Sequence, residues 1–126
     1  MDKFFVCKKC GKLVLDLDNK NKLICDDCGE EMQELVPNTV DAATEKHLPV
    51  VNVSGKDVLI KVGEVTHPML ENHYISAIFL KTNKGIYSLE LNPVQEPKAN
   101  FTLKRCEKPV CAYAYCNLHG LWKTEI

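Results

Sequence analysis

Long apolar runs and any marked excess of basic charge are missing from this sequence. It has no stretch of about eighteen apolar residues, which excludes a transmembrane helix. Sixteen basic and seventeen acidic residues give a net charge of −1, too little positive charge to suggest a nucleic-acid partner. The opening MDKFFVCKKCGK meets charge too early for a signal peptide. We therefore expect a cytoplasmic protein that binds neither membranes nor nucleic acid.

A convincing 3.6-residue apolar period is also missing, and β patterns dominate beyond residue 43. DVLIKVGEV alternates Val58, Ile60 and Val62 with residues of the opposite face. HYISAIFLKTNKGIYSLELNP predicts two strands around a turn at residues 82–85, where Gly85 is free to take a positive φ. Further strands are predicted by PVVNVSG, ANFTLKRC, PVCAYAYC and LWKTEI. About seven short strands indicate an all-β, immunoglobulin-like antiparallel sandwich.

A domain boundary is predicted at Pro37-Asn38. Residues 1–37 then form a small metal-binding domain, and residues 38–126 form the β-sandwich. A segment of about forty residues rarely folds alone without a metal or disulfides. We expect a metal, because secretion is not indicated and disulfides are rare in reducing compartments.

Two CxxC pairs supply the ligands for that metal. In each pair, two intervening residues let one turn bring both sulfurs to one ion, and the glycine that follows suits a tight knuckle. Four thiolates complete a tetrahedral site for zinc or a single iron. The spacing leaves the choice of metal open. The predicted ligands are Cys7, Cys10, Cys25 and Cys28.

Histidine is scarce, and all four copies lie near turns or strand ends of the β part. Each alone would be interpreted as a surface or core residue. Together with a nearby cysteine they offer five donors, one more than structural zinc prefers, whereas iron accepts six ligands. A thiolate opposite the sixth position would push electron density toward a small oxidant. The predicted set is His47, His67, His73, His119 and Cys116.

Four short motifs, EKHLP, THPM, ENHYI and CNLHG, resemble those of superoxide reductases. With the CxxC segment in front, the chain is similar to the two-iron form, desulfoferrodoxin, over nearly its whole length. The first domain, which carries the two CxxC pairs, would then be desulforedoxin-like. Family members, however, usually carry an adjacent second cysteine pair. Here Asp26 and Asp27 separate Cys25 from Cys28, a spacing that resembles rubredoxin and predicts a less strained site holding iron or zinc.

The resemblance implies a function and a role for each site residue. The four histidines would bind the catalytic iron equatorially and Cys116 axially, and the iron would reduce superoxide to hydrogen peroxide without releasing dioxygen. Lys46 would attract superoxide and help to supply a proton, and Glu45 could occupy the sixth position of oxidised iron. Electrons would come from a rubredoxin-type donor, and the protein would be a homodimer.

Other interpretations remain at this point. The chain could be a non-enzymatic electron carrier, a zinc-ribbon module joined to a β-sandwich, or a dismutase, which would yield dioxygen and need no donor. Lys46 alone would be interpreted as a solvated charge, and Glu45 as its weak partner. Cys106 and Cys111 are predicted to be inert, because Cys111 lies on the opposite face of its strand from Cys116.

Overall fold

A computed structural model describes residues 3–18 and 21–126 and divides the chain into two compact units. They are Met1–Val36 and Pro37–Ile126, so the division falls one residue before the predicted boundary. Within the described residues, no helix is both long and apolar enough to cross a membrane.

The first unit is a three-stranded antiparallel sheet built around the two CxxC pairs. Its strands are β1 (Lys3–Val6), β2 (Leu13–Asp16) and β3 (Gln33–Leu35), in the order β2-β1-β3. The sequence analysis assigned no strands here. One core cluster of this unit consists of Phe5, Cys7, Cys25 and Met32, two of which are metal-ligand candidates, and Phe4 and Val6 are buried as well. A unit of this size with few buried apolar side chains is expected to depend on a metal to fold.

The second unit is an antiparallel β-sandwich with a four-stranded and a three-stranded sheet. The strands are β4 (Pro49–Ser54), β5 (Asp57–Val62), β6 (Ile75–Thr82), β7 (Ile86–Glu90), β8 (Lys98–Thr102), β9 (Pro109–Cys116) and β10 (Gly120–Glu125). The strand orders of the two sheets are β10-β9-β6-β7 and β4-β5-β8. All seven predicted strands are present, so the predicted all-β fold is confirmed.

Strand alternation places the core between the two sheets. Val58, Ile60 and Val62 of β5 are buried while the residues between them are exposed. They share one core cluster with alternate residues of β9, including Ala114 and Cys116. The thiol of Cys116 therefore sits at the end of a core strand, shielded from water.

Two local predictions were wrong. Gly85 is not among the glycines with positive φ. The turn is closed instead by Thr82, whose backbone N–H donates to the Gly85 carbonyl oxygen at 2.8 Å and whose hydroxyl accepts the Lys84 N–H at 3.1 Å. The segment before β4 lies in the region beyond residue 43, where only β structure was expected, but it is a single helical turn, α1 (Thr44–His47).

Candidate metal centres

The first unit brings its four cysteines together through two knuckles of the same construction. In the first, the Gly11 N–H donates to the Cys7 carbonyl oxygen at 2.7 Å, and in the second the Gly29 N–H donates to the Cys25 carbonyl oxygen at 2.7 Å. Gly11 and Gly29 take φ values of 80° and 71°, which side chains other than glycine disfavour. The second pair therefore folds like the first.

The sulfur positions suit a tetrahedral ion. All four sulfurs lie within 4.8 Å of one another, and the Cys10 and Cys25 sulfurs are 3.8 Å apart. Metal–sulfur bonds of about 2.3 Å in a tetrahedron place neighbouring sulfurs about 3.8 Å apart. The backbone of Cys10 donates a hydrogen bond to the Cys7 sulfur and lowers the pKa of that thiol to about 7, which favours the thiolate ligand.

Four imidazoles in the second unit form a square. The ring centres of neighbouring pairs are 4.6 Å (His47–His67), 4.7 Å (His67–His73), 5.1 Å (His73–His119) and 4.9 Å (His119–His47) apart. The neighbouring rings are nearly perpendicular, at 74° to 86°. The diagonal pair His47–His73 is 6.4 Å apart and inclined at only 30°. This is the arrangement of four ligands around the equator of one ion.

Hydrogen bonds fix which nitrogen of two histidines faces the centre. The Nδ1–H of His47 donates to the Ala43 carbonyl oxygen at 2.7 Å, and that of His67 to the Pro68 carbonyl oxygen at 2.7 Å. Both Nε2 atoms then carry lone pairs, yet they face each other at 3.2 Å. Two acceptors at this distance repel, and a cation between them removes the repulsion.

The other two imidazoles and the thiol complete the set. Nε2 of His73 is buried and has no hydrogen-bond partner in the described part of the chain, as expected of a ligand without its ion. Nδ1 of His119 lies 3.1 Å from Nε2 of His47 and 4.0 Å from the Cys116 sulfur. That sulfur is 3.5 Å from Nε2 of His67. The ligand atoms of His47, His67, His73 and Cys116 lie within 4.8 Å of one another, and His119 adjoins this set through His47 and Cys116.

Burial favours the neutral, metal-binding form of three imidazoles, those of His47, His67 and His73. Desolvation lowers the pKa of His47 and His73, and it lowers the pKa of His67 to about 4. Desolvation also raises the pKa of the Cys116 thiol, opposed by hydrogen bonds from the backbone of Leu118 and His119. A bound cation would instead lower the pKa of this thiol and stabilise the thiolate.

Two residues that the sequence analysis did not single out hold these ligands in place. The Trp122 ring stacks on His47, with centres 5.0 Å apart, and its Nε1–H donates to the His119 carbonyl oxygen at 3.0 Å. Asn117 accepts the Tyr74 N–H at 2.9 Å and donates to the Asn72 carbonyl oxygen at 3.1 Å. It therefore bonds the residue on each side of His73.

Lys46 and Glu45 are both exposed in α1 but face different surroundings. The charge of Lys46 reaches the square, where it contributes to the lowered pKa of His47 and His73. Glu45 lines a cleft of about 540 Å³ together with Glu64 and Glu125. An approach of Glu45 to the metal therefore requires α1 to rearrange.

The donor sets fit two different metal centres. Five donors, four of them imidazole nitrogens, exceed the four ligands of structural zinc and match an iron site with one further position. His73 and His119 are only half buried, so that site has a side near solvent. The four-sulfur site accepts iron or zinc. The fold and these two sites define the class of the protein, a metal-binding β-sandwich with an added four-cysteine metal-binding domain.

Comparisons with known proteins agree with this class. The desulfoferrodoxin family model matches residues 39–125. The chain is 43% identical to the desulfoferrodoxin of Syntrophotalea carbinolica over 96% of its own length and 94% of that protein. The superoxide reductase of Treponema pallidum superposes with a TM-score of 0.86 and 39% identity, covering 99% of both chains. The one-iron superoxide reductase of Giardia intestinalis matches 66% of this chain and 98% of its own, with a TM-score of 0.57 and 37% identity. The chain belongs to the desulfoferrodoxin family of superoxide reductases.

Proposed function

We propose that the protein reduces superoxide to hydrogen peroxide at iron held by the four imidazoles and Cys116. One electron and two protons are consumed for each superoxide, and no dioxygen is formed. The iron, when bound, supplies the electron. The observation that carries this proposal is the imidazole square with a buried sulfur 3.5 Å from Nε2 of His67.

The protein's own residues prepare the site for an anionic substrate. His73 and His119 leave one side of the square near solvent, whereas His47 and His67 are buried. Lys46 places a positive charge close enough to be felt at His47 and His73. Such a charge raises the encounter rate of a small anion and offers a proton donor at the mouth of the site. Glu45 would act only at oxidised iron, and its approach to the sixth position would require α1 to rearrange.

The proposal extends to the second metal, the donor, the assembly and the compartment. The four-cysteine site holds iron, which passes electrons, or zinc, which only stabilises the fold. A rubredoxin-type protein supplies the electrons, the protein works as a homodimer, and it resides in the cytoplasm. Family membership supports all four, and the absence of a disulfide among the described cysteines agrees with the proposed compartment.

The direct experiment mixes reduced protein with superoxide under anaerobic conditions. Peroxide and dioxygen are measured together with the oxidation of the metal centre. One peroxide for each superoxide, with no dioxygen, supports a reductase. Dioxygen with one peroxide for every two superoxide ions would indicate a dismutase. Absence of any reaction would favour the interpretation as an electron carrier. Iron and zinc content per chain, measured on the same sample, identifies the metal of the four-cysteine site.

A further inference from the structure

Gly63, which follows β5 directly, lies against the backbone of α1. A Cβ atom at this position would lie 2.7 Å from the carbonyl oxygen of Glu45, 2.8 Å from the carbonyl carbon of Lys46 and 3.0 Å from its oxygen. Favourable contacts between nonbonded carbon atoms begin at about 3.5 Å. Because the atoms in the way belong to the backbone, no side chain can rotate aside to make room.

Space is a reason for glycine at this position, whereas a positive φ is not. Gly63 is not among the glycines with positive φ, so its φ does not require glycine. The absence of a side chain at Gly63 allows two chain segments to approach each other closely. The Val65 N–H donates to the Glu45 carbonyl oxygen at 2.9 Å, and the His67 N–H donates to the Val62 carbonyl oxygen at 3.0 Å. The turn at residues 63–66 is thus joined to α1.

These two segments carry neighbouring corners of the square. His47 is the last residue of α1, and His67 follows the turn at residues 63–66. Their Nε2 atoms are 3.2 Å apart. Metal–nitrogen bonds of about 2.1 Å at right angles place two nitrogens about 3.0 Å apart, so little extra separation is tolerated.

We propose that Gly63 is a positioning residue that sets the distance between the His47 and His67 imidazoles. It does so by letting the turn at residues 63–66 lie directly on the Glu45–Lys46 peptide. The inference rests on the proposed function, because these imidazoles are taken as ligands of the catalytic iron. It adds a residue that touches neither the metal nor superoxide.

The test compares Gly63→Ala with a matched control, Gly85→Ala. Gly85 has open space around its Cβ position and no positive φ, so the control makes the same chemical change where nothing needs to move. Iron release to a chelator and the visible spectrum of the oxidised centre are measured in both full-length proteins. Gly63→Ala is expected to release iron about tenfold faster and to shift the spectrum, the size of effect known for outer-shell changes. Gly85→Ala is expected to behave like the unchanged protein.

Hydrogen exchange monitors the contact between the turn at residues 63–66 and α1 without relying on a metal-based measurement. The Val65 amide is expected to be protected in the unchanged protein and in Gly85→Ala, and to exchange faster in Gly63→Ala. Equal iron release, spectrum and exchange in both variants would overturn the proposal. If Gly63→Ala does not fold, the proposal is tested by hydrogen exchange of the Val65 amide in the unchanged protein. Protection of Val65 similar to that of Leu48, whose N–H is bonded to Thr44 at 3.0 Å, supports the proposal, and exchange at the rate of an unbonded amide overturns it.

Failure of this inference can be told apart from failure of the proposed function. None of the three readouts requires superoxide to be reduced. An unchanged protein that binds iron but forms no peroxide would overturn the proposed function while leaving the role of Gly63 standing. Full superoxide reduction with normal iron release and normal Val65 exchange in Gly63→Ala would overturn the role of Gly63 alone.

Discussion

His47 and His67 face each other with their Nε2 atoms 3.2 Å apart, while each directs its Nδ1–H to a backbone carbonyl oxygen. The carbonyl oxygens belong to Ala43 and Pro68, close in sequence to the histidines themselves. Each segment thus orients its own ligand, and only the distance between the segments is left to the tertiary fold.

Replacing Lys46 should slow superoxide reduction through electrostatics. We expect Lys46→Ala to lower the second-order rate about three- to tenfold at low ionic strength and to flatten its dependence on salt, because an attractive charge is lost. Pulse radiolysis over a range of salt concentrations measures both effects.

The matched control for that charge is Lys84→Ala. Lys84 follows the last residue of β6, and the first residue of that strand, Ile75, pairs with Cys116. Lys84 and Cys116 therefore lie at opposite ends of an eight-residue strand. Such a strand spans roughly 25 Å, beyond the screening length of about 10 Å at 0.1 M salt. Equal salt dependence in the two variants would show that Lys46 does not guide the substrate.

Removing the Asn117 side chain should loosen His73. Asn117→Ala deletes the hydrogen bonds to the residues on both sides of His73, and we expect iron to leave about tenfold faster. Asn100→Ala, at an exposed position of β8, is the control and should retain iron normally. Iron transfer to a chelator measures the rate, and identical rates in the two variants would contradict the role given to Asn117.

Two replacements of Trp122 should distinguish the contribution of ring packing to stability from that of its hydrogen bond. Trp122→Phe keeps a ring against His47 but loses the N–H bond to the His119 carbonyl oxygen, and should lower the free energy of unfolding by about 1 kcal/mol. Trp122→Ala also loses the buried ring and should cost about 3–5 kcal/mol. Urea unfolding of both variants measures the difference. Equal losses would mean that the ring contributes nothing beyond its hydrogen bond.

Acid should empty the histidine site only well below neutral pH. Burial lowers the pKa of His67 from 6.5 to about 4, so its proton-free form persists in the folded protein down to that range. Because the unfolded chain binds protons first, this burial makes stability fall as the pH drops from 6.5 toward 4. We expect iron to be retained at pH 6.5 and released by about pH 4. Metal content after equilibration across this range tests it, and half-loss above pH 6.5 would contradict the assigned environment.

The sequence predicted most of the fold because strand patterns are local. Alternation in β5 and the short spacings of the CxxC pairs are visible without tertiary information. The helical turn that carries Glu45 and Lys46 was missed because four residues are too few to display a period. Gly85 was expected to be free to take a positive φ in its turn, but the structure closes that turn with Thr82 instead.

The supporting residues around the histidines could not be found in the same way. Gly63, Asn117 and Trp122 act on segments that are distant in sequence, and nothing local marks them. His119 follows Cys116 by three residues, which suggested a shared ion, but only the structure reveals that its Nδ1 faces the site.

The most direct test of the account compares the visible spectrum and metal content of the oxidised protein with those of Cys116→Ser. If one iron is held by the imidazole square and this sulfur, the unchanged protein carries at least one iron per chain with a sulfur-to-iron absorption band. That band disappears in the variant, while absorption from the four-cysteine site is unaffected. Persistence of the band in Cys116→Ser, or a protein whose histidine site binds only zinc, would contradict the central claim.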